Sequence, residues 1–340
     1  MLDYFIVSPV PSFYKVNLYN ALAGRLKIFV VFLAKDTKET RAGDFISLEG
    51  AKFGYALLFH GALQVRPTFS NVLKLSKLLK QHPHKRLLLG GWDCVEFWAG
   101  WALSARAKNA VVVESSIMES KTKGLKASLK RLFLKRVSIA FVCGDLHAKL
   151  LHALHFKGVI KTMYGVGIIN PPTAKREPRP YSKKFICIAR LTAVKNLEFL
   201  LEIFKELPHL SLSLVGTGEL ESQLKQMASA NVSFLGAMPN AQLNALLCAH
   251  DVLILPSIAE PWGLVVEEAL AVGLVVLVSQ ACGARVLVEN GVNGFVFEPT
   301  DGGAFKRLLE GLESTYPTLL KGALAWDLEA KDSKQVEAYL

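Results

Sequence analysis

The sequence predicts an α/β protein of two Rossmann-like domains, on three observations. Short β-rich runs alternate with helix-like runs along all 340 residues, the order expected of α/β folds. The β-rich runs are almost continuously apolar, as parallel strands are when helices cover both faces of their sheet. Between the halves lies INPPTAKREPRPYS (169–182), whose four prolines and several charges suit a linker and no regular element. The expected domains are therefore 1–168, a linker at 169–182, and 183–340, the last ending in a short tail beyond Trp326.

The strand candidates of the first domain are, in order, YFIVS, LKIFVVFLA, YALLF, RLLLGG, NAVVVES and VSIAFVCG. Those of the second are FICIAR, LSLSLVGTG, NVSFLG, DVLILPS, LVVLVS and GFVFEP. The length suits two domains, an apolar content of 51% is ample for two cores, and no repeat period appears.

No apolar run reaches the ~18 residues a membrane span needs. LVVEEALAVGLVVLVS is broken by Glu267 and Glu268, and LLLGGWDCVEFWAGWALSA by Asp93 and Glu96. The start, MLDYFIVSPVPS, has an early Asp3 and no basic stretch, so no signal peptide is expected. Five widely spaced cysteines, without a CxxC or a His/Cys pair at zinc spacing, suit a reduced cytoplasmic protein.

Candidate chemistry concentrates in the second half. FICIAR runs into an amphipathic helix with Leu197, Leu200, Leu201 and Phe204 on one stripe, which Asn196 could cap. Arg190 and Lys195 then sit at a strand's carboxyl edge, where doubly wound sheets bind ligands, and two cations there suit a diphosphate. Taken alone, they read equally as solvated loop charges. Gly216 and Gly218 follow the next strand, where glycine permits close backbone approach to a ligand or simply a turn. No full GxGxxG follows an early strand, which argues against a nicotinamide enzyme.

PSIAEPWGLVVEEALAVGLVVLVS (256–279) is nearly all apolar yet carries three carboxylates. Pro261 disfavours helix at Glu260, which leaves that residue in a loop. A buried helix is expected from Gly263 onward, with the amides of Gly263, Leu264 and Val265 at its N-terminus free to hold a phosphate. Glu268 lies farther along this helix, and Glu267, ~100° away from it, is expected to be structural or solvent-facing. The plainer roles are a helix-tip carboxylate for Glu260 and a buried ion pair for Glu268, with Arg285 as the partner in mind.

ARLTAVKN, LVGTGEL, VSFLGAMPNAQLNALLCAHDVLILPSIAEPWGLVVEEALAVGLVVLVS and GARVLVENGVNGFVFEP, taken together, resemble the family 4 (group 1) retaining GT-B glycosyltransferases across about 185–299. The family's E-x7-E spacing is met by Glu260 and Glu268. The resemblance implies a GT-B fold, two Rossmann-like domains whose parallel sheets face across a cleft. It also implies a nucleoside diphosphate sugar, commonly UDP-linked, as donor. Arg190 and Lys195 would grip the diphosphate with the amides of Leu264 and Val265, and Glu268 would bond the ribose. Glu260 would face the donor sugar, Gly216 and Gly218 would let the nucleotide lie close, and residues 235–238 would flank the base. No Asp-x-Asp is present, in keeping with the family's metal independence, and no cofactor is implied. A nucleotide-sugar epimerase or a phosphorylase on the same fold would share this donor site.

The first half matches the family less closely. Where many members carry a glycine pair, this chain reads Pro9-Val10-Pro11-Ser12-Phe13-Tyr14-Lys15. Where many have a histidine, it offers Glu114 and Ser115. Ser12, Lys15 and Glu114 are therefore the acceptor-side candidates, and Glu114 either orients an acceptor hydroxyl or simply ends a strand.

Charge divides the halves. Residues 1–180 hold 28 Lys+Arg against 11 Asp+Glu, and residues 181–340 hold 12 against 18. A basic half implies an anionic partner. A nucleic-acid-binding protein would explain the charge, but no binding motif appears and the acidic half's site would go unexplained. An anionic membrane carrying a lipid-linked glycan or lipopolysaccharide-type acceptor is the expected partner, at the inner face of the cytoplasmic membrane. Lys121–Arg136 is a basic helix candidate with Leu125, Leu129, Leu132 and Phe133 on one stripe. For that helix, the plainer expectation is a stripe packed on the sheet with solvated lysines.

Overall fold

The computed structural model describes residues 1–38, 45–172 and 174–340; Thr173, inside the expected linker, lies outside them. The chain divides into two compact units, Met1–Asn170 with Asp332–Leu340, and Pro171–Lys331.

The first unit runs β1 (Leu2–Ser8), α1 (Phe13–Ala23), β2 (Ile28–Phe32), β3 (Gly54–Leu57), α2 (Thr68–Gln81), β4 (His84–Leu89), α3 (Val95–Leu103), β5 (Asn109–Val113), α4 (Gly124–Leu134), β6 (Ile139–Val142), α5 (Asp145–Ala153) and β7 (Val159–Thr162). Its sheet is parallel, in the order β3-β2-β1-β4-β5-β6-β7. Alternate residues Phe5, Val7, Leu87, Leu89, Val111 and Val113 share one buried cluster with Phe97 of α3 and Phe133 of α4. The strand order reverses between β1 and β4, and in doubly wound sheets the carboxyl ends at such a reversal are the edge where ligands bind.

All six strand candidates of this half form strands, and a seventh, β7, was not anticipated. Val159–Thr162 is an edge strand paired only with β6 and half-exposed, so it has no apolar run to advertise it.

α4 departs from the plainer expectation. Leu125, Leu129 and Leu132 are 79%, 47% and 47% exposed, while Ala127, Phe133 and Leu134 are buried. At ~100° per residue, Ala127 and Leu134 lie opposite the three leucines. Phe133 does not belong to their stripe: it packs against Trp98 and Trp101 of α3, at 5.0 and 5.9 Å between ring centroids. The leucine stripe therefore faces solvent among Lys123, Lys126 and Lys135, all exposed.

The second unit runs β8 (Lys184–Ile188), α6 (Leu197–Glu206), β9 (Ser211–Val215), α7 (Glu221–Met227), β10 (Val232–Gly236), α8 (Asn240–Cys248), β11 (Val252–Leu255), α9 (Leu264–Ala271), β12 (Val275–Ser279), β13 (Gly294–Phe297) and the long α10 (Gly302–Ala325). Its parallel sheet has the order β10-β9-β8-β11-β12-β13, with the reversal between β8 and β11. Leu197, Leu200, Leu201 and Phe204 of α6 are buried on this sheet, as their spacing predicts.

Two boundaries differ from expectation. Residues 332–340, assigned in sequence to the second domain, cluster with the first unit. Tyr339 explains this: its ring stacks on Phe141 at 4.4 Å, its carbonyl accepts from Tyr4 Oη (2.8 Å), and its hydroxyl meets Met163 Sδ (2.8 Å). The expected linker is not free chain either. From Pro171 onward it belongs to the second unit. Asp251, fully buried just before β11, accepts from the Ser182 amide (2.9 Å) and hydroxyl (2.7 Å) and the Lys184 amide (3.0 Å). It also pairs with Arg179 (3.2 Å) and Arg176 (3.5 Å). The Arg176 amide bonds Val272 O (2.9 Å), and Lys175 Nζ caps the end of α10 at Leu324 O and Trp326 O.

Candidate active site

At the reversal of the second sheet, two loops meet. After β8 the chain passes Arg190 into a single 3-10 turn, Ala193–Lys195. After β11 it passes Ser257 and Glu260 to Gly263, which precedes α9. The Ile258 amide bonds Val194 O (3.0 Å) and ties the loops together. Glu260 is held on its other side, its amide bonding Ala281 O (3.2 Å) and its carbonyl accepting from the Gly283 amide (2.9 Å). Lys195 Nζ and the Glu260 carboxylate form an ion pair across the gap, with both side chains nearly nine-tenths buried. These residues are 65 positions apart in sequence, so the fold alone brings them together. Arg190 is on the same edge but exposed.

Asn196 does not cap α6. It stands in the left-handed region (φ 55°), and its side-chain amide bridges Pro256 O (3.2 Å) and Pro299 O (2.9 Å). It thus locks the turn that presents Lys195.

Gly263 is also left-handed (φ 93°), and a side chain there would crowd Leu255, Cys282 and Glu260. It turns the chain so that α9 begins beside Glu260 with the first-turn amides of Leu264 and Val265 free of intrahelical partners. Glu268 is half-buried in α9. Glu267, expected to be structural or solvent-facing, is structural: fully buried, it pairs with Lys331 and accepts from Trp262 Nε1 (3.2 Å).

Gly216 and Gly218 have a steric reason of their own. A Cβ at Gly216 would lie 2.0 Å from Ala189 O, and one at Gly218 2.4 Å from Leu191 O. Both glycines let the β9 loop press on the β8 loop, a requirement of the fold itself.

Sequence reasoning did not single out what lies behind this edge. Burial pushes the Cys187 thiol up to about 12, against the nearby Lys195 charge, and also holds the Cys282 thiol well above its ordinary value. Both are neutral packing groups at physiological pH. Thr192 and Ser257 keep buried hydroxyls with no hydrogen-bond partner among the described residues, and only their place after β8 and β11 could have flagged them.

The first unit has a pocket of about 70 Å³ at its own reversal point, and Ser12, Lys15 and Glu114 all line it. Lys15, in the first turn of α1, is paired with Glu114, just after β5. Burial works against the Lys15 charge, but Glu114, with Tyr19 and Tyr14 adding, outweighs it and holds the ammonium protonated. Where many relatives were expected to place a histidine after this strand, this chain has Glu114, and His147 of α5 lies near it. His147 is fully buried, and burial lowers its pKa despite Glu119, Glu114 and the Glu114 carbonyl.

Comparison with known proteins is consistent with the edge chemistry of the second unit. Residues 173–321 match the family described as Glycosyl transferases group 1. The match covers 149 of the 340 residues, a little under half of the chain. Sulfoquinovosyl transferase SQD2 of Arabidopsis thaliana is 29% identical over 126 residues, 36% of this chain and 25% of that protein. The lipopolysaccharide core biosynthesis glycosyltransferase LpsE of Rhizobium meliloti is 28% identical over 158 residues, 45% of this chain and 46% of that protein. The chain thus spans between a quarter and just under half of these curated relatives. Anabaena HepE, solved in complex with UDP, aligns over 98% of both chains with a TM-score of 0.75 at 18% identity. The fold of the chain is GT-B. Among its described residues, no helix is long and apolar enough to cross a membrane, and no three His, Cys, Asp or Glu side chains are grouped to hold a metal ion.

Proposed function

We propose that this chain is a retaining glycosyltransferase of group 1. It moves a sugar from a UDP-linked donor to a lipid-linked glycan or lipopolysaccharide-type acceptor, at the cytoplasmic face of the membrane. The observation that carries the reading is the meeting of Lys195 and Glu260 at the strand-order reversal beside the α9 tip. HepE, bound to UDP, and LpsE, by its name, support the donor and the acceptor class respectively.

In this reading Arg190, Lys195 and the amides of Leu264 and Val265 hold the diphosphate, and Glu268 holds the ribose. As the donor C–O bond breaks through an oxocarbenium-like state, negative charge develops on the leaving diphosphate. Fixed cations and a helix N-terminus stabilise it there in place of a metal. The acceptor hydroxyl attacks from the same face and gives its proton to the leaving phosphate, so no protein nucleophile is needed, and Glu260 orients the sugar.

Melting the protein with UDP-, GDP- and ADP-sugars tests the donor. A ligand at 100 times its Kd adds about 2.7 kcal/mol, and the UDP-sugar is expected to give the largest upward shift. No shift with any of the three would remove the donor assignment. Acceptor-dependent release of free UDP separates transfer from epimerisation.

The anionic membrane partner rests on α4. Its three exposed leucines would enter the lipid interface while Lys123, Lys126 and Lys135 meet anionic headgroups, at about 1 kcal/mol per cation. Each leucine is worth roughly 1.5–3 kcal/mol if fully buried. Leu125→Ser with Leu129→Ser is therefore expected to cut flotation with anionic vesicles at least tenfold. Unchanged flotation, or no preference for anionic over neutral vesicles, would count against this face.

A further inference from the structure

The first-unit pocket carries information about the acceptor beyond its place on the sheet edge. Its polar side chains are Ser8, Ser12, Tyr14, Lys15, Tyr19 and Glu114. Ser8, Ser12, Lys15 and Tyr19 are buried, Tyr14 is half-buried, and the Glu114 side chain is about a third exposed. Burial raises the Tyr19 phenol above its ordinary value, so it stays neutral, while Lys15 stays charged. The formal charge of the lining is therefore zero, one ammonium against one carboxylate.

We propose that this pocket binds an uncharged hydroxylated ring, the terminal neutral sugar of the acceptor, with one ring hydroxyl held by both Lys15 and Glu114. The proposal rests on the glycosyltransferase reading and names the chemical class of its second substrate.

Charge decides against the alternatives. A phosphate or carboxylate beside Lys15 would also stand beside Glu114. At matched distances the attraction and the repulsion cancel, and the cost of desolvating the anion remains. A cation meets the same cancellation from Lys15. A hydroxyl meets none of it. It donates to the carboxylate and accepts from the ammonium, two charge-assisted bonds in one group. The ion pair need not open, because an ammonium has three donors and a carboxylate about four acceptor sites. The size agrees: on a measure by which one water needs ~10–15 Å³, the cavity's ~70 Å³ has room for several waters, or for the edge of one sugar ring. Gly90 also lines the pocket, where a Cβ would stand 3.0 Å from Val7 O, 3.2 Å from Pro9 Cδ and 3.3 Å from Phe97 Cζ, so the glycine lets this edge pack closely.

Saturation-transfer NMR titrations of methyl glucoside, methyl galactoside and N-acetylglucosamine, beside glucuronate and glucose 6-phosphate, test this on the full chain. At least one neutral sugar is expected to bind at least tenfold more tightly than either anion, and Glu114→Gln is expected to weaken it at least tenfold. Tighter binding of an anion, or binding indifferent to Glu114→Gln, overturns the proposal. The comparison of neutral with anionic probes needs no variant, so it stands even where a substitution fails to fold. UDP melting shifts on the same samples separate two failures. No sugar bound with UDP still bound overturns the acceptor class alone, and loss of both overturns the glycosyltransferase reading.

Discussion

Lys195→Ala and Glu260→Gln are each expected to lower release of UDP from the donor by about 10²–10³, while circular dichroism stays unchanged. The magnitude follows from the chemistry. Removing one preorganised group from a site where charge develops costs roughly 2.7–4 kcal/mol of transition-state stabilisation. Lys195 is suited to such a role because its ammonium is presented by a short turn that Asn196 locks to two carbonyls. It therefore needs little reorganisation as the diphosphate leaves. Without ligand, that ammonium is neutralised by Glu260. The diphosphate must then compete for Lys195, and Glu260 is released toward the sugar as it does so. This coupling predicts non-additivity. Residues in contact share interaction energy, so the double variant should lose much less than the product of the two single losses. Melting shifts with UDP add a second readout: Lys195→Ala should reduce the shift more than Glu260→Gln, because only the cation meets the phosphates. Near-wild-type turnover in either single variant, or fully multiplicative losses, would end the assignment.

Much of this site is legible in sequence because its parts are local. A parallel strand buried on both faces is a continuous apolar run, so β8 and β11 stand out, and ligand residues sit within a few positions of their ends. Lys195 and Glu260 follow from that rule, and Glu260 is pinned to the loop by Pro261. What sequence hides is whatever is made by distance. The Glu267–Lys331 pair joins positions 64 apart, and Glu267 looks like any helical carboxylate until Lys331 is seen beside it. The glycines at 216 and 218 were legible as close approaches, but the neighbour they admit in the structure is the β8 loop. The leucines of α4 have helical spacing whether they face a sheet or water, so pattern alone could not choose. Proline content made 169–182 look like a linker, and the buried carboxylate of Asp251, with the bonds of Lys175 and Arg176, shows that much of it is fastened down.

That carboxylate carries the largest stability effect expected here. Asp251→Ala should cost about 3–5 kcal/mol, because it strands the Ser182 and Lys184 amides and leaves the Arg176 and Arg179 charges without their counter-ion. For a unit of this size that is a fall in Tm on the order of 10 °C. The effect also has a pH signature. Burial alone would raise the Asp251 pKa, but the Lys184 and Ser182 hydrogen bonds and the Arg179 charge outweigh it and hold the carboxyl below its ordinary value. A carboxyl whose native pKa lies below its unfolded value of about 3.9 stabilises the fold in its ionised form. The stabilisation is complete above roughly pH 5 and is lost as pH falls through the native pKa. Asp251→Asn keeps the shape but cannot ionise, so the gap between wild type and variant in urea unfolding should be full at pH 7 and shrink steadily below pH 4. A gap that stays constant down to pH 3 would mean that the ionised carboxylate is not what secures the segment. A closing gap would place the strap's attachment in one titratable group, with acid loosening residues 176–184 before the core strands give way.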